Sequence, residues 1–262
     1  AAANDPLIRH FKIPKSWAGT PQWQLQGGQW IAASPQSVGQ FSAVAYYFAQ
    51  ELRKSTGVPV GIIDSTWGGS SIEAWMDASM LGLDADALAS RMRDRRAVEE
   101  KQEAAVLQRA AGWPALDNAS EAPAAANVDD ANWARVQVPA IWETQGFAGM
   151  DGVGWYRTRF DLTAAEAAAG VTLGLGQIDD SDVAWVNGQR VGSYTNGWNV
   201  ARAYQVPASA LHAGSNVVAV RVQDDGGGGG IAGAPDQVYV QAVGGAKHAL
   251  AGEWRFRTAQ VR

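Results

Sequence analysis

The sequence is 262 residues long, with 47% hydrophobic residues and a formal net charge of −5. Such a composition is sufficient for buried cores and argues against nucleic acid as a partner. Cysteine is absent, which excludes disulfides and cysteine-ligated metals. No apolar run approaches the ~20 residues of a membrane span and the first residues do not resemble a signal peptide, so no membrane partner is expected.

The first part of the chain carries α/β signals. Ser37 followed by Gln40 predicts a capping box, and apolar residues at helical spacing then predict an amphipathic helix over about 38–55. The apolar run 58–63 predicts a parallel strand covered on both faces. A second S-x-x-E pattern begins at Ser70 and predicts another capped helix directly after this strand.

The middle of the chain predicts one long helix and then a linker. Residues from about 85 to 111 are rich in Ala, Arg and Glu and contain few helix breakers. The stretch 119–127, ASEAPAAAN, has little apolar bulk and is typical of a linker.

Beyond residue 129 the hydrophobic pattern has a period of two, which predicts an all-β sandwich. The strongest hairpin signal is Asn187-Gly188. The alternating runs cover residues 155–160, 171–178, 182–192, 216–222 and 237–243.

The turn at Gly68-Gly69 is the first candidate site. It lies between a predicted strand and a predicted helix, where free amide N–H groups suit a developing negative charge, as in an oxyanion hole. On the residues alone, a tight corner with Ser70 as the helix cap is the better explanation of the two glycines. Ile72 stands where a G-x-S-x-G elbow needs glycine, so Ser70 is not a nucleophile of that kind.

Other candidate residues give weaker signals. The histidines His10, His212 and His248 have no acid partner at a recognisable spacing and are expected to be surface or structural residues. Acidic residues at 179, 180, 182, 224 and 225 have ligand chemistry suited to calcium, but such clusters are usually solvated, and no metal is assigned. Trp198 and Tyr194 are expected either to stack on a sugar ring or to plug the end of the sandwich.

Two stretches resemble known families. Residues 41–75, ending in DSTWGGSSIEAW, are similar to a block of the sialate O-acetylesterase family, carbohydrate esterases of the SGNH-hydrolase superfamily. The later segments WYRTRF, IDDSDVAWVNGQRVG and LAGEWRFR resemble the jelly-roll, galactose-binding-like domain of β-galactosidase-type glycosidases.

The resemblance implies an α/β plus all-β fold, with part of an SGNH-type α/β/α three-layer domain and an inserted jelly-roll β-sandwich. Residues 1–112 would belong to the esterase domain, including the long linking helix at about 85–111. Residues 113–252 would form the inserted sandwich, and residues 253–262 would return toward the esterase domain.

The resemblance also implies a serine carboxylic-ester hydrolase, a carbohydrate O-acetylesterase that needs no cofactor. Gly69 and Gly68 would form the oxyanion hole, and Trp67, Ser70, Trp198 and Tyr194 would bind substrate. The family's G-Q-S-N and D-x-x-H blocks are not found in the chain. The nucleophile and the acid–base pair would therefore come from remaining segments of the same esterase, in the same chain or in a separate one, and this chain alone would be catalytically incomplete.

The expected substrate is an acetylated carbohydrate, sialate or a plant polysaccharide such as xylan or xyloglucan, and the expected location is periplasmic or secreted. Two other interpretations stay open. In the first, the chain is a non-catalytic carbohydrate-binding or architectural β-sandwich module, and in the second, the sandwich serves as a dimerisation surface.

Overall fold

The computed structural model describes residues 3–16, 22–68, 70–113, 116 and 119–261. The chain divides into two compact units, Ala1–Asp94 and Arg95–Arg262. One long helix, Ala85–Ala110, includes residues on both sides of this boundary.

The first unit contains a small mixed sheet and one helix packed on it. Strand β1 (Asp5–Lys12) lies in the middle, antiparallel to β2 (Trp30–Ala33) and parallel to β3 (Val60–Asp64). Helix α1 (Ala43–Thr56) packs on β3 and β1. Its small core consists of Ile8, Ala33, Phe41, Tyr46, Ala49 and Ile62.

The start of α1 differs from the prediction. Ser42 is the N-cap, and its hydroxyl accepts a hydrogen bond from the Ala45 amide. Ser37 precedes a short 3-10 turn instead, and its hydroxyl donates to the Ala32 carbonyl, 2.7 Å away. The helix is followed by Gly57, its C-cap, in a left-handed conformation with φ of 73°.

The described residues of this unit do not show the three-layer α/β/α domain that the resemblance implied. The helix predicted after Ser70 is only a 3-10 turn, Ile72–Trp75, and its N-cap Ser71 makes no side-chain capping bond. Phe48, one of the apolar residues at helical spacing in the predicted amphipathic helix, is 69% exposed. Since α1 covers the sheet chiefly through Tyr46 and Ala49, most of its apolar side chains stay outside the core.

Helix α2 (Ala85–Ala110) closely matches the long helix predicted from composition. It is mostly polar, and exposed i,i+4 ion pairs join Arg95 to Glu99 and Arg96 to Glu100. Near its end, Val106 is buried among the core residues of the second unit. Among the described residues, no helix combines the length and apolar composition that crossing a membrane requires.

The second unit is a β-sandwich, which confirms the all-β part of the predicted fold. One sheet has the order β14-β13-β7-β12-β5, with β10 also paired to β7, and the other has the order β4-β15-β6-β11-β8-β9. The strands are β4 (Ala134–Val138), β5 (Ala140–Ile141), β6 (Gly152–Leu162), β7 (Val171–Asp179), β8 (Ser181–Val186), β9 (Gln189–Tyr194), β10 (Ala201–Val206), β11 (Gly214–Asp224), β12 (Gly230–Ala232), β13 (Val238–Ala242), β14 (Lys247–Ala249) and β15 (Gly252–Val261).

The core lies between these two sheets. Alternation along β11 sends Val218, Val220 and Val222 inward, while Ala219 points to the outer face. The rest of the core includes Trp142, Phe147, Tyr156, Leu173, Leu175, Ile178, Trp254 and Phe256. Most of the buried tryptophans therefore serve packing.

The predicted hairpin is confirmed. Asn187 and Gly188 join β8 to β9 with positive φ values of 50° and 82°, the conformation that a two-residue hairpin turn requires. The Asn187 side chain also accepts from the Val217 amide and donates to Asn216. This turn is thereby tied to the neighbouring strand β11.

The stretch predicted as a linker is instead packed on the outer face of a sheet. Pro123 and Ala124 are buried, and the fully buried Arg157 on β6 donates to the carbonyls of Pro123 and Ala125. Arg157 also pairs with Asp130, 2.9 Å away. The low apolar content of residues 119–127 was misleading as a sign of a linker, because the segment is held by hydrogen bonds from Arg157 to its backbone carbonyls.

Two further elements complete the sandwich. The short helix α3 (Ala164–Ala169) begins with a capping box between Thr163 and Glu166. Residues 253–262 were expected to lead back toward another domain, and up to Val261 they lie in β15, hydrogen-bonded between β4 and β6. The predicted domain limits themselves stay a prediction.

Candidate functional site

Loops from three parts of the chain meet at one end of the sandwich, here called the loop end. They are the β7–β8 turn (residues 179–181), the β9–β10 loop (residues 194–200) and the glycine-rich β11–β12 loop (residues 225–229). The Gly197 amide donates to the Asp180 carbonyl at 2.9 Å, and the Asp225 amide donates to the Asp180 carboxylate at 3.0 Å. Asp180 therefore connects all three segments.

Arg202 on β10 holds the loop end together. Its side chain is completely buried, and its Nε donates to the Asp182 carboxylate at 2.8 Å. The other guanidinium nitrogens donate to backbone carbonyls of the β9–β10 loop and of the β7–β8 region. These acceptors are Gly197, Val200, Ile178 and Asp180.

Asp182 is the buried counter-ion of Arg202. Burial raises the pKa of the Asp182 carboxyl, while hydrogen bonds from Arg202 and the Tyr204 hydroxyl act in the opposite direction. The Tyr204 bond is 2.7 Å long. Asp182 is therefore part of the scaffold, since both of its oxygens are engaged and its side chain is closed to solvent.

Beside this scaffold, three carboxylates come together. Asp179, Asp180 and Asp224 each place one oxygen within 4.8 Å of the others. Asp224 is fully buried; its Oδ1 accepts from the Gly226 amide at 3.0 Å, and its Oδ2 has no hydrogen-bond partner among the described residues. We call Asp179, Asp180 and Asp224 the acid triad.

The electrostatics around the acid triad are strongly unfavourable to further negative charge. Burial and the neighbouring Asp180 raise the pKa of Asp179 to about 7. Burial, together with repulsion from Asp151, Glu143 and Asp180, raises the pKa of Asp224 to about 7. Glu143, whose own pKa is raised chiefly by burial, is partly stabilised by the Gly229 amide.

The expectation that these loop acids are simply solvated is therefore wrong for Asp182 and Asp224, which are buried. They take different roles: Asp182 pairs with Arg202, whereas Asp224 joins the acid triad. The sequence placed these carboxylates in loops without showing which would meet, because Asp179 and Asp224 lie on strands of different sheets.

Both aromatic candidates lie on the β9–β10 loop. Trp198 is 63% exposed and Tyr194 is 41% exposed. The Arg202 guanidinium lies over the Tyr194 ring, with its Cζ 4.8 Å from the ring centroid. On the same residue, Gly197 packs so closely that a Cβ added to it would come within 2.3 Å of the Tyr194 ring. Tyr194 is thus packed on one side, while Trp198 offers a large apolar surface to solvent.

A shallow polar cleft of about 200 Å³ lies beside Tyr194, on the outer face of β8, β9 and β11. Arg190, Asn196, Arg221 and Gln223 contribute to its wall. Arg190 is oriented by a 2.9 Å hydrogen bond to the Ser193 hydroxyl. The cleft therefore presents both donors and acceptors next to an aromatic ring.

The candidate residues of the first unit lie elsewhere. The Ser70 amide donates to the Trp67 carbonyl at 3.3 Å, and the Ser70 hydroxyl accepts from the Trp75 indole. The Trp67 ring lies beneath the Lys15 ammonium, 5.3 Å away. A Cβ added at Gly68 would meet open space, and Gly69 lies outside the described residues. The site roles of Trp67, Gly68, Gly69 and Ser70 stay predictions.

Two histidines have acid partners that sequence spacing did not reveal. His10 Nε2 lies 3.4 Å from Asp64 across the parallel strands β1 and β3, and its ring stacks on Phe41. His248 Nε2 lies 2.6 Å from Glu166. Burial opposes ionisation of Asp64, but hydrogen bonds from Lys12 and Thr66 hold its pKa below the ordinary value.

Comparison with known proteins places the sandwich among glycosidase domains. Residues 126–228 match the family model described as the β-galactosidase second all-beta domain. A putative β-glucuronidase from Formosa agariphila is 28% identical over 110 residues, which cover 37% of this chain and 10% of that protein. The predicted β-galactosidase-type domain is thereby confirmed, and this chain spans only a tenth of that curated relative.

Solved structures give matches of limited extent. A glycosyl hydrolase family 2 member from Bacteroides cellulosilyticus is 25% identical, covering 43% of this chain and 17% of that one, with a TM-score of 0.38. A Bacteroides uniformis β-glucuronidase is 23% identical, covering 54% and 16%, with a TM-score of 0.37. A carbohydrate acetylesterase from Xanthomonas citri is 65% identical, covering 31% and 19%, with a TM-score of 0.31.

The prediction of a serine carboxylic-ester hydrolase is wrong. The family-model match and the curated relative both belong to glycosidases and not to serine esterases. The acetylesterase match covers less than a third of the chain, and its TM-score is too low to support an esterase fold. What the findings support is a carbohydrate-active β-domain of glycosidase type.

Proposed function

We propose that the sandwich is a non-catalytic carbohydrate-binding module of glycosidase type, and that it contacts sugar at the loop end. The observation that carries this proposal is the exposed Trp198 on a loop that is fixed from within by Arg202. A large indole that is exposed to water contributes little to the stability of the fold, whereas a sugar ring can cover it by stacking its apolar C–H face on the indole.

Trp198 and Tyr194 have different roles in this proposal. Trp198 is the stacking platform, because most of its ring is free of protein contact. Tyr194 forms a wall of the adjacent polar cleft, since one side of its ring is occupied by Gly197 and Arg202. The loop is already ordered by buried hydrogen bonds, so binding would require little additional ordering.

The polar cleft supplies the hydrogen-bonding groups that a sugar needs. Arg190, Arg221 and Gln223 lie within reach of one small ligand, and Asp225 adds a carboxylate at the rim. Small-ligand sites combine an apolar or aromatic surface with a few polar groups that set orientation. Both arginines also suit the carboxylate of an acidic sugar.

The acids of the loop end do not favour hydrolysis by this module. A glycosidase needs two carboxylates that flank the scissile bond in an open cleft. Asp182 and Asp224 are fully buried, and Asp182 is already paired with Arg202. A substrate cannot reach these groups without opening the scaffold, so binding is the better supported role.

Sugar titration tests the proposal. Isothermal calorimetry or affinity electrophoresis of the 262-residue chain should measure the binding of β-glucuronides, β-galactosides, xylan and xyloglucan. The first two are included because the sandwich is similar to a putative β-glucuronidase and to a β-galactosidase domain. We expect saturable binding to at least one sugar. Trp198→Ala should weaken it about fivefold or more, since truncation of an energetically important interface residue costs more than about 1 kcal/mol.

The matched control is Trp23→Ala, which removes an indole that is 97% exposed in the first unit. This variant should bind like the wild type. If no sugar binds, or if both tryptophan variants bind as tightly as the wild type, the loop end is not a sugar site. The sandwich would then be an architectural domain.

A further inference from the structure

We propose that the acid triad, Asp179, Asp180 and Asp224, binds a divalent cation of the calcium class. This goes beyond the sugar-binding role and does not depend on it. The proposal rests on the convergence of three carboxylate oxygens within 4.8 Å and on one buried oxygen, Asp224 Oδ2, that has no partner among the described residues.

Repulsion is the first argument. Three carboxylates at this separation, one of them buried, destabilise one another unless a cation or protons neutralise them. Glu143 and Asp151 add to the negative field at Asp224. The guanidinium of Arg202 is already engaged by Asp182 and by four backbone carbonyls. A bound cation would offset this repulsion directly.

The unpartnered oxygen is the second argument. A buried carboxylate oxygen without a partner costs the full loss of its hydration. Asp224 Oδ1 is held by the Gly226 amide, which fixes the carboxylate and leaves Oδ2 unsatisfied. Asp180 is fixed similarly, because one of its oxygens accepts from the Asp225 amide. Two of the three carboxylates are therefore oriented before any ion binds.

The donor set indicates which cation fits. All three side chains offer oxygen only, which suits calcium and magnesium and not zinc or copper. Calcium accepts irregular arrangements of about 6–8 oxygens, whereas magnesium demands a near-ideal octahedron. The triad provides at most six carboxylate oxygens of uneven accessibility, and water would complete the shell. Calcium is therefore the better match.

Terbium luminescence offers a direct assay. Tb³⁺ replaces calcium at oxygen sites and is excited through nearby tryptophan. Trp142 is close enough, because a Cβ added at Gly229 would touch both its ring and Asp224 Cβ. We expect saturable sensitised emission from the wild-type chain, and we expect excess Ca²⁺ to displace the Tb³⁺.

Matched variants make the test specific. Asp224→Asn keeps the shape of the side chain but removes its charge, and it should weaken Tb³⁺ and Ca²⁺ binding by about tenfold or more. Asp179→Asn should do the same and serves if Asp224→Asn folds poorly. Asp161→Asn, on an exposed position of β6, should bind like the wild type.

Thermal unfolding gives an independent readout. CaCl₂ should raise the melting temperature of the wild type and of Asp161→Asn, and at the same calcium concentration it should raise that of Asp224→Asn clearly less. Trp198→Ala should keep the calcium response, so a failed sugar site and a failed cation site are distinguishable. Absence of saturable binding by the wild type overturns the proposal. Equal binding by the wild type and both triad variants also overturns it, since it would mean an adventitious ion only.

Discussion

Replacing Arg202 with Met tests how the loop end is held. The substitution retains much of the side-chain volume but leaves the Asp182 carboxylate buried, with the Tyr204 hydroxyl as its only hydrogen-bond partner in the described part of the chain. Removing one member of a buried ion pair costs about 3–5 kcal/mol. The four backbone carbonyls that Arg202 also satisfies add to this loss where water cannot reach them.

A loss of this size should be plain in denaturation experiments. At roughly 2–4 °C per kcal/mol for a chain of about this size, the sandwich should melt about 6–20 °C lower. Urea unfolding followed by near-ultraviolet circular dichroism gives the free energy of unfolding, provided that the two units are fitted as separate transitions. The matched control is Arg190→Met on the exposed part of β9, which should change stability by less than about 0.5 kcal/mol.

A double variant separates the ion pair from simple packing. If Arg202 acts mainly through Asp182, the combination of Arg202→Met with Asp182→Leu should lose less stability than the sum of the single variants, by about 0.5–3 kcal/mol. Strict additivity of the two single changes would refute the reasoning. So would a loss from Arg202→Met no larger than that of the Arg190 control.

Two more changes test electrostatic features away from the loop end. Asp130→Asn leaves the fully buried guanidinium of Arg157 without its carboxylate, and we expect a loss of about 3–5 kcal/mol in urea unfolding; a loss below about 1 kcal/mol would contradict the buried pair. The pKa of Glu166 is lowered from 4.5 to about 2, first by the Thr163 backbone and then by His248. Its ionised form therefore stabilises the fold above about 4.5 and ceases to do so as pH falls toward about 2. The stability gap between wild type and Glu166→Gln should close over this window, and a gap that persists at the acid end would exclude the carboxylate as its source.

Sequence patterns were most reliable where one local rule decides the structure. Asn187-Gly188 forms a hairpin because both residues tolerate positive φ, which few other pairs do. The alternating runs became strands since period-two burial is a strong signal in a sandwich. Capping was less reliable: Ser37 and Ser42 both precede α1, and only the structure shows that Ser42 caps it.

The loop end could be predicted only in part. Alternation along β10 places Arg202, Tyr204 and Val206 on the buried face, so a charged residue at a core position was a signal for a buried ion pair. Its partner Asp182 could not be identified, because the pairing depends on two strands of different sheets. The acid triad could not be predicted from the sequence for the same reason, because the arrangement of the two sheets is what brings Asp179 and Asp224 together.

The apolar pattern of the first unit was also misleading. Phe48 and Leu52 have the helical spacing of a core face, yet both are exposed in the structure. Spacing shows that a helix has an apolar side, and it does not show whether another element covers that side. The resemblance to an esterase block came from residues of this same region. It therefore suggested an esterase family for a part of the chain whose packing does not show the expected three-layer domain.

The hydrogen bonds from Arg157 to the backbone of residues 123–126 have a practical consequence for the design of shortened versions of this protein. Trp155 and Trp185 form a tilted aromatic pair beneath this segment, with 5.1 Å between their ring centroids, and Trp133 and Ala124 lie beside them. A shortened sandwich that begins after residue 133 would expose this tryptophan-rich patch to solvent. It would also leave the buried guanidinium of Arg157 without the Asp130 carboxylate. Such a fragment would tend to self-associate, so expression boundaries should start well before Ala119.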